Sequence, residues 1–457
     1  MAEPRRPGTV GELLSRCAIG ILAAVSVAFL PQNPSPLLPP NLRRLIERYG
    51  GWLLMIAAAA AYYPRFVKLP AGMETYPQAA SCLWHDQVLQ ACDPGFTYPP
   101  FFALVMLPFA PMPLWLRDLV WYAVTLAATI GAFKLCENIA VRSLATPLER
   151  AELAWLRVFV LALSAKLILA VFENQAYDAL VLVAVVLGLA ALCAERPLAA
   201  GAGLALAAAL KATPLIFLPY LLWKRYYAAA VAFVVVYVAA SLLPDMIFAP
   251  AGAAHGYFIT WLKEVPAPSL GIDAGRAQFA FWDGANILNH SLRGAISLNI
   301  DEAHHRSLFE AALAAADGTF AVVIGTLIAV SPRRPQSIAL DGSLLLIAML
   351  MLSPMTSRSH YVAQLLPYMT LVALNLRDRD TARLGRAVLI VSFVLVTLAG
   401  NDAVGEAFTV WAYRHSAMVL GTLALLIYFA VLVIKQLRDE QSVASHYPAF
   451  PGRGAAR

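Results

Sequence analysis

Charge is what this sequence has least of. Only 14% of its 457 residues are Asp, Glu, Lys or Arg, against roughly 25% in an ordinary soluble domain. With 60% hydrophobic residues and a mean hydropathy of +0.67, the chain reads as a polytopic membrane protein. Apolar and polar residues do not alternate along it, which excludes a transmembrane β-barrel and leaves an all-α architecture. Cysteine is scarce too. Cys17, Cys82, Cys92, Cys136 and Cys193 show no metal-ligand spacing, so neither metal nor cofactor is expected. No convincing repeat relates the two halves, which weighs against an inverted-repeat transporter. The net charge of +6 is not a nucleic-acid signal, because the basic residues sit in short loops between apolar runs, where they report topology.

Those runs lie near 50–67, 118–135, 154–172, 176–193, 199–211, 213–223, 226–244, 311–330, 338–353, 361–376, 385–400 and 416–434. They predict about twelve transmembrane helices, two of them short halves of a hairpin. An interfacial or cytoplasmic segment over 1–49, a membrane domain over 50–435 and a cytoplasmic tail over 436–457 complete the expected organisation. Cytoplasmic termini place the Arg333-Arg334, Arg377 to Arg386 and Lys435 to Arg438 clusters inside, as the positive-inside rule demands. The stretch Phe101 to Met112 is short and broken by Pro108 and Pro111. It is read as an interfacial helix, since counting it as a crossing would invert every later loop.

The loop from Glu74 to Pro100 is polar and aromatic, and carries Glu74, His85, Asp86 and Asp93 close together. A chain that only crossed the bilayer would have no use for them. Cys82 and Cys92 share this loop and can pair if it faces an oxidising compartment. Two unrelated thiols fit the sequence equally well, and the disulfide is taken as the expectation because it would hold Asp86 still. Further polar residues gather on the same predicted outer side: Glu173, Asn174, Gln175, Asp178, Lys211, Asn289, His290, Arg358 and His360. Taken singly, each reads most simply as a paired or snorkelling helix-end residue. Together they suggest one wet pocket ringed by helices, because an ionised group near the bilayer core costs at least ~2.5 kcal/mol. Gln175 and Asp178 share a helix face at i,i+3 spacing. Lys211, followed by Thr213-Pro214, ends an alanine-rich helix with an ammonium, and Arg358 and His360 end another run.

The ordered segments FTYPPFFALVMLPF, ENQAYDALVL, AAGAGLALAAALKATPLIFLPYLLWKR, NHSLRG and SPMTSRSHYVAQLLP resemble glycosyltransferase family 87, over roughly Gly50 to Asn375. That resemblance implies a GT-C-like fold with extracytoplasmic loop helices. It also implies an inverting transfer of a hexose, mannose above all, from a polyprenyl-phosphate sugar to a lipid or glycan hydroxyl at the extracytoplasmic face of the inner membrane. The expected partners are thus that donor, the acceptor and membrane lipids, with no nucleic acid. Where the family pattern has an Asp four residues before the loop tyrosine, this chain has Gly72; Ser357 and Ser359 replace a tryptophan and the first of two histidines. The expected catalytic residues are Glu74 as base, with His360 or Asp86 as substitutes. The expected substrate-binding residues are Tyr76, Tyr98, Gln175, Asp178, Lys211, Asn289, His290, Arg293 and Arg358, with Lys211 and Arg358 clamping the phosphate. Trp261 and Trp282 are candidates to stack on sugar, and Asp378-Arg379-Asp380 reads as a solvated charge run. A lipid or sugar flippase and a non-catalytic relative that kept the fold remain open alternatives.

Overall fold

A computed structural model describes residues 60–68, 72–251, 254–269, 286–377, 382–400 and 404–446. Segment 1–49, Trp282 and the Asp378-Arg379-Asp380 run lie outside the described residues, as does the chain from 447 onward. Among the described residues every regular element is helical. The eleven helices used below are numbered in chain order.

Helix α1 (Gly72–Trp84) carries the first loop. Cys82 on it is bonded to Cys92, the two Cα atoms 6.2 Å apart. The run after Pro99 makes only a short helix, Pro100–Val105, and a 3-10 turn at Leu107–Phe109. At 1.5 Å per residue this cannot cross a bilayer. Helices α2 (Leu114–Arg142) and α3 (Arg150–Glu173) follow, the latter opened by a capping box in which Glu149 and Glu152 satisfy each other's backbone N–H groups.

Helix α5 (Pro197–Leu210) packs tightly between α4 (Asp178–Cys193) and α6 (Tyr227–Ile247). Their small residues make this possible: a Cβ on Gly201 would stand 2.1 Å from the Ala229 carbonyl oxygen, so only glycine lets α5 and α6 approach this closely. Helix α7 (Arg306–Val330) exposes most of its surface, whereas α8 (Ile338–Met351) is buried nearly all round. Helices α9 (Leu365–Arg377), α10 (Ala382–Ser392) and α11 (Ala417–His446) close the bundle, α10 running into π-helical Phe393–Leu398.

The count of twelve spans is not confirmed. Among the described residues five helices have the length and apolarity to cross alone: Leu114–Arg142, Arg150–Glu173, Tyr227–Ile247, Arg306–Val330 and Ala417–Arg438. Apolar runs at 178–193, 197–210, 213–223 and 335–351 form shorter helices. A 14-residue helix such as α5 reaches only about 21 Å, less than a hydrocarbon core of about 30 Å. Hydropathy alone cannot tell a lipid-facing span from a short helix sheathed by its neighbours. Helix α8 also carries Asp341, which the sequence reading passed over. Its carboxylate lies 3.3 Å from Lys224 and accepts from Tyr220 Oη at 3.4 Å, at the opposite end of α8 from the Ser353–His360 loop.

Candidate functional site

Three chain breaks meet at one end of the bundle. Between α3 and α4 the chain turns sharply, with Gln175 at φ 47°. After α5 the backbone at Lys211 turns extended (φ −150°, ψ 130°) and re-enters as a 3-10 turn, Thr213–Ile216. After α8 comes Ser353-Pro354 and then a second 3-10 turn, Arg358–Gln364. Pro214 and Pro354 have no N–H to continue a helix, so both breaks are written into the sequence.

Asp178, the first residue of α4, ties the three together. Its Oδ1 accepts from Lys211 Nζ at 2.7 Å and lies 3.6 Å from His360 Nε2. Its Oδ2 accepts from Ser359 Oγ at 2.9 Å. The pair is almost wholly enclosed, and such a bridge holds only because further hydrogen bonds complete the carboxylate. Beside it lies a small, partly open cavity lined by Asp178, Lys211, Thr213, Ser353, Thr356 and His360 over an apolar floor of α8. Among the described residues Thr213 Oγ1, buried there, has no hydrogen-bond partner, and Lys211 Nζ is also 5.6 Å from the Tyr177 ring centroid.

An aromatic wall flanks this group. Tyr76, Tyr98, Phe102 and Tyr177 pack ring to ring, with Tyr98 and Tyr177 4.8 Å apart and Tyr76 and Tyr177 5.8 Å apart. Burial and the neighbouring Asp178 carboxylate push the Tyr98 phenol up to about 12. The Tyr177 hydroxyl is buried and, among the described residues, has no hydrogen-bond partner. Tyr177 was missed by the sequence reading, although it stands between two residues that were selected.

Elsewhere the selected residues serve separate sites. Gln175 accepts from the Met73 N–H and donates to the Phe66 carbonyl, while its own carbonyl accepts from Trp121 Nε1 at 2.8 Å; one end of the amide fastens α1 and the other the helical segment before it. Asp86, at φ 54°, accepts from the Ala249 N–H through Oδ1 and from the Ala251 N–H through its carbonyl, so it fastens the loop to the end of α6. Glu173 pairs with Arg65 and Lys166 and accepts from Tyr62 Oη. Arg293 pairs with Glu302 at 3.4 Å and stacks over Phe309. Arg358 donates through Nη2 to the Ala399 carbonyl and lies over Tyr413; it does not line the cavity, so the two expected clamp cations are not brought together. Trp261 is buried and donates to the Thr97 carbonyl.

Asn289 and His290 meet the Ser353–His360 loop directly. Asn289 Nδ2 donates to the Pro354 carbonyl and its Oδ1 accepts from the Thr356 N–H. The His290 N–H donates to the Thr356 carbonyl. Burial, with the Arg358 guanidinium and His360 nearby, pushes His290 down to about 3. His360 is pushed down to about 4 by burial, which the Asp178 carboxylate opposes and the Lys211 ammonium assists.

Glu74 is exposed on α1, and among the described residues its carboxylate has no hydrogen bond or ion pair. It lies two residues from Tyr76, about 200° around the helix, so the two face opposite ways. Gly72 is sealed: a Cβ there would lie 2.4 Å from the Tyr76 ring and 2.7 Å from the Gln175 carbonyl oxygen. An acid at that position would have no room in this packing.

The class these features define is a multi-pass helical membrane protein with an enclosed, charged pocket at one end of its bundle. The model of glycosyltransferase family 87 matches residues 96–354, more than half of the sequence, and the chain belongs to that family. Among its relatives is the polyprenol-phosphate-mannose-dependent alpha-(1-2)-phosphatidylinositol pentamannoside mannosyltransferase of Mycobacterium tuberculosis (strain CDC 1551 / Oshkosh), 30% identical over 303 residues. The match covers 65% of this chain and 63%, under two thirds, of that relative's length. Among solved structures, ArnT from Cupriavidus metallidurans in the apo state is similar with a TM-score of 0.38 and 15% identity, over 84% of this chain and 78% of that one.

Proposed function

We propose that this protein transfers mannose, with inversion, from a polyprenyl-phosphate-mannose to a hydroxyl of a glycolipid at the extracytoplasmic face of the membrane. The observation that carries the reading is the Lys211–Asp178–His360 group at the edge of a cavity in the bundle. An ammonium and an imidazole beside an open volume suit a lipid-linked phosphate, whose charge grows as it leaves. The donor and the glycolipid acceptor are those named for the mycobacterial relative. The Cys82–Cys92 disulfide supports an oxidising, extracytoplasmic side for this end of the bundle.

In the reaction the acceptor oxygen forms a bond to the anomeric carbon as the bond from that carbon to the phosphate oxygen breaks. The polyprenyl phosphate leaves with the electron pair, and the acceptor's proton passes to a carboxylate. Lys211 neutralises the leaving phosphate, and Asp178 holds Lys211 in place. Glu74 takes the proton: among the described residues it is an exposed carboxylate of α1 with no hydrogen bond or ion pair, on the side of that helix opposite Tyr76. The test is transfer of radiolabelled mannose from polyprenyl-phosphate-mannose into glycolipid by the purified protein in membranes. Saturable donor binding with transfer is expected; binding followed by movement of intact donor between leaflets would replace this reading with a flippase.

A further inference from the structure

We infer that Ser357 and Asn289 are positioning residues that hold His360 as a neutral imidazole with its proton on Nε2, so that His360 donates a hydrogen bond to the donor phosphate and does not act as proton acceptor. This rests on the proposed phosphate-binding role of the pocket and assigns His360's part in it.

One backbone amide fixes the tautomer of His360. The Ser357 N–H donates to His360 Nδ1 at 2.8 Å, and the Ser357 side chain accepts in return from the His360 backbone, a capping box in which histidine takes the place usually held by Glu or Gln. A backbone N–H can only donate, so Nδ1 must present its lone pair. A neutral imidazole carries one N–H, and here it sits on Nε2. An imidazolium would set an Nδ1–H against the Ser357 N–H, so this contact opposes protonation as well as fixing the tautomer. Nε2 faces Asp178 Oδ1, the same oxygen that receives Lys211 Nζ. An N–H and an ammonium therefore converge on one oxygen of the Asp178 carboxylate at the cavity edge, and since neither donor offers a lone pair they suit an anion and not a hydroxyl proton. The charged and titratable groups near His360 are Asp178 on α4, Lys211 after α5, His290 from the 286–291 segment and Arg358 on its own turn.

Asn289 fixes where that amide stands. Its Oδ1 accepts from the N–H of Thr356, the residue before Ser357, and from the N–H and hydroxyl of Ser291. Its Nδ2 holds the Pro354 carbonyl at 3.0 Å. Tyr361 Oη, one residue past His360, donates to the His290 carbonyl at 2.7 Å. The Asn289-His290-Ser291 strip thus grips the Ser353–Tyr361 loop before and after His360. Ser357 and Ser359 supply the capping box and the bond to Asp178.

The experiment measures binding of polyprenyl-phosphate-mannose without acceptor from about pH 5 to about pH 8; as a diester this donor lacks the second phosphate ionisation near 6. Wild type and Ser357→Ala, which keeps the N–H, are expected to bind with little pH dependence. Ser357→Pro, which removes the N–H, and Asn289→Ala, which frees the loop, should bind roughly five- to tenfold more tightly at the acid end than at the alkaline end, because Nδ1 is then free to take a proton and the bound phosphate offsets the burial that otherwise holds His360 down. Adding His360→Gln to either should flatten the profile again. Nitrogen NMR of ring-labelled histidine in the wild type, compared with His360→Gln, should show Nδ1 bare and Nε2 protonated throughout that range. A wild-type Nδ1–H signal, or a flat profile in both loop variants with donor binding intact, overturns the inference. A uniform loss of affinity without new pH dependence would reduce Ser357 and Asn289 to structural roles and overturns it too. Failure of the wild type to bind donor at any pH overturns the phosphate reading of the pocket, and this role with it.

Discussion

Glu74→Gln keeps the size and hydrogen bonding of the proposed base and removes its proton affinity. Turnover should fall by about 10²–10⁴, while donor binding measured on the same preparation hardly changes. Lys211→Ala should weaken donor binding and also destabilise the fold by roughly 3–5 kcal/mol, since it leaves Asp178 enclosed and unpaired. The double change Lys211→Met with Asp178→Asn separates the two effects. Thermal stability should largely return, and donor binding should not. A third expectation concerns pH. His290 and His360, held down at about 3 and about 4, take no proton in the folded protein over most of the acid range. The unfolded chain's histidines protonate below about pH 6.5, so between there and about pH 4 the unfolded state binds more protons. Stability is therefore complete above about pH 6.5 and is lost progressively on acidification. Denaturation midpoints across that range check the sign, and His290→Gln should flatten the slope.

At the scale of elements, the seat of α1 depends on a glycine. Gly72 admits no Cβ because the Tyr76 ring and the Gln175 carbonyl fill the space, and Gln175 also holds the Met73 N–H. Gly72→Ala should force α1 away from the α3–α4 turn and lower stability by about 1–3 kcal/mol, the range for overpacking. Circular-dichroism melts of the purified protein measure it. With the tyrosine ring folded back over the helix start, position 72 serves packing. Pro214 and Pro354 make the two re-entrant breaks predictable from sequence. The short sheathed helices α5 and α8 are not predictable in that way, because an apolar run reads alike whether lipid or protein surrounds it.

For the whole molecule, the membrane reading makes a labelling prediction. Cysteine substituted at Gln87 and at Gln336, both exposed positions, should react from opposite sides of the membrane, Gln87→Cys from outside and Gln336→Cys from inside. Buried Cys136 and Cys193 should stay silent in intact protein. Reaction of both from one side would mean that the number of crossings between them is even, and the orientation would have to be rebuilt.

Composition by itself determined the solvent: a chain this poor in charge and this rich in apolar runs has to satisfy its backbone within helices. Five ordered motifs carried the resemblance to glycosyltransferase family 87, which the match over residues 96–354 established. Sequence also named Asp178, Lys211 and His360, because costly polar residues at helix breaks stand out against an apolar background. Only the tertiary structure decided which of them meet. Asp178 joins Lys211 and His360, whereas Arg358 turns to Ala399 and Gln175 to α1. It also revealed the Ser357 amide on His360 Nδ1, the buried Tyr177 hydroxyl and the sealed space at Gly72. The reason is one of range. Helix propensity, proline breaks and transfer energies are properties of neighbouring residues, but which side chain completes a carboxylate is set by chain segments far apart in sequence, and only their packing brings them within hydrogen-bond distance.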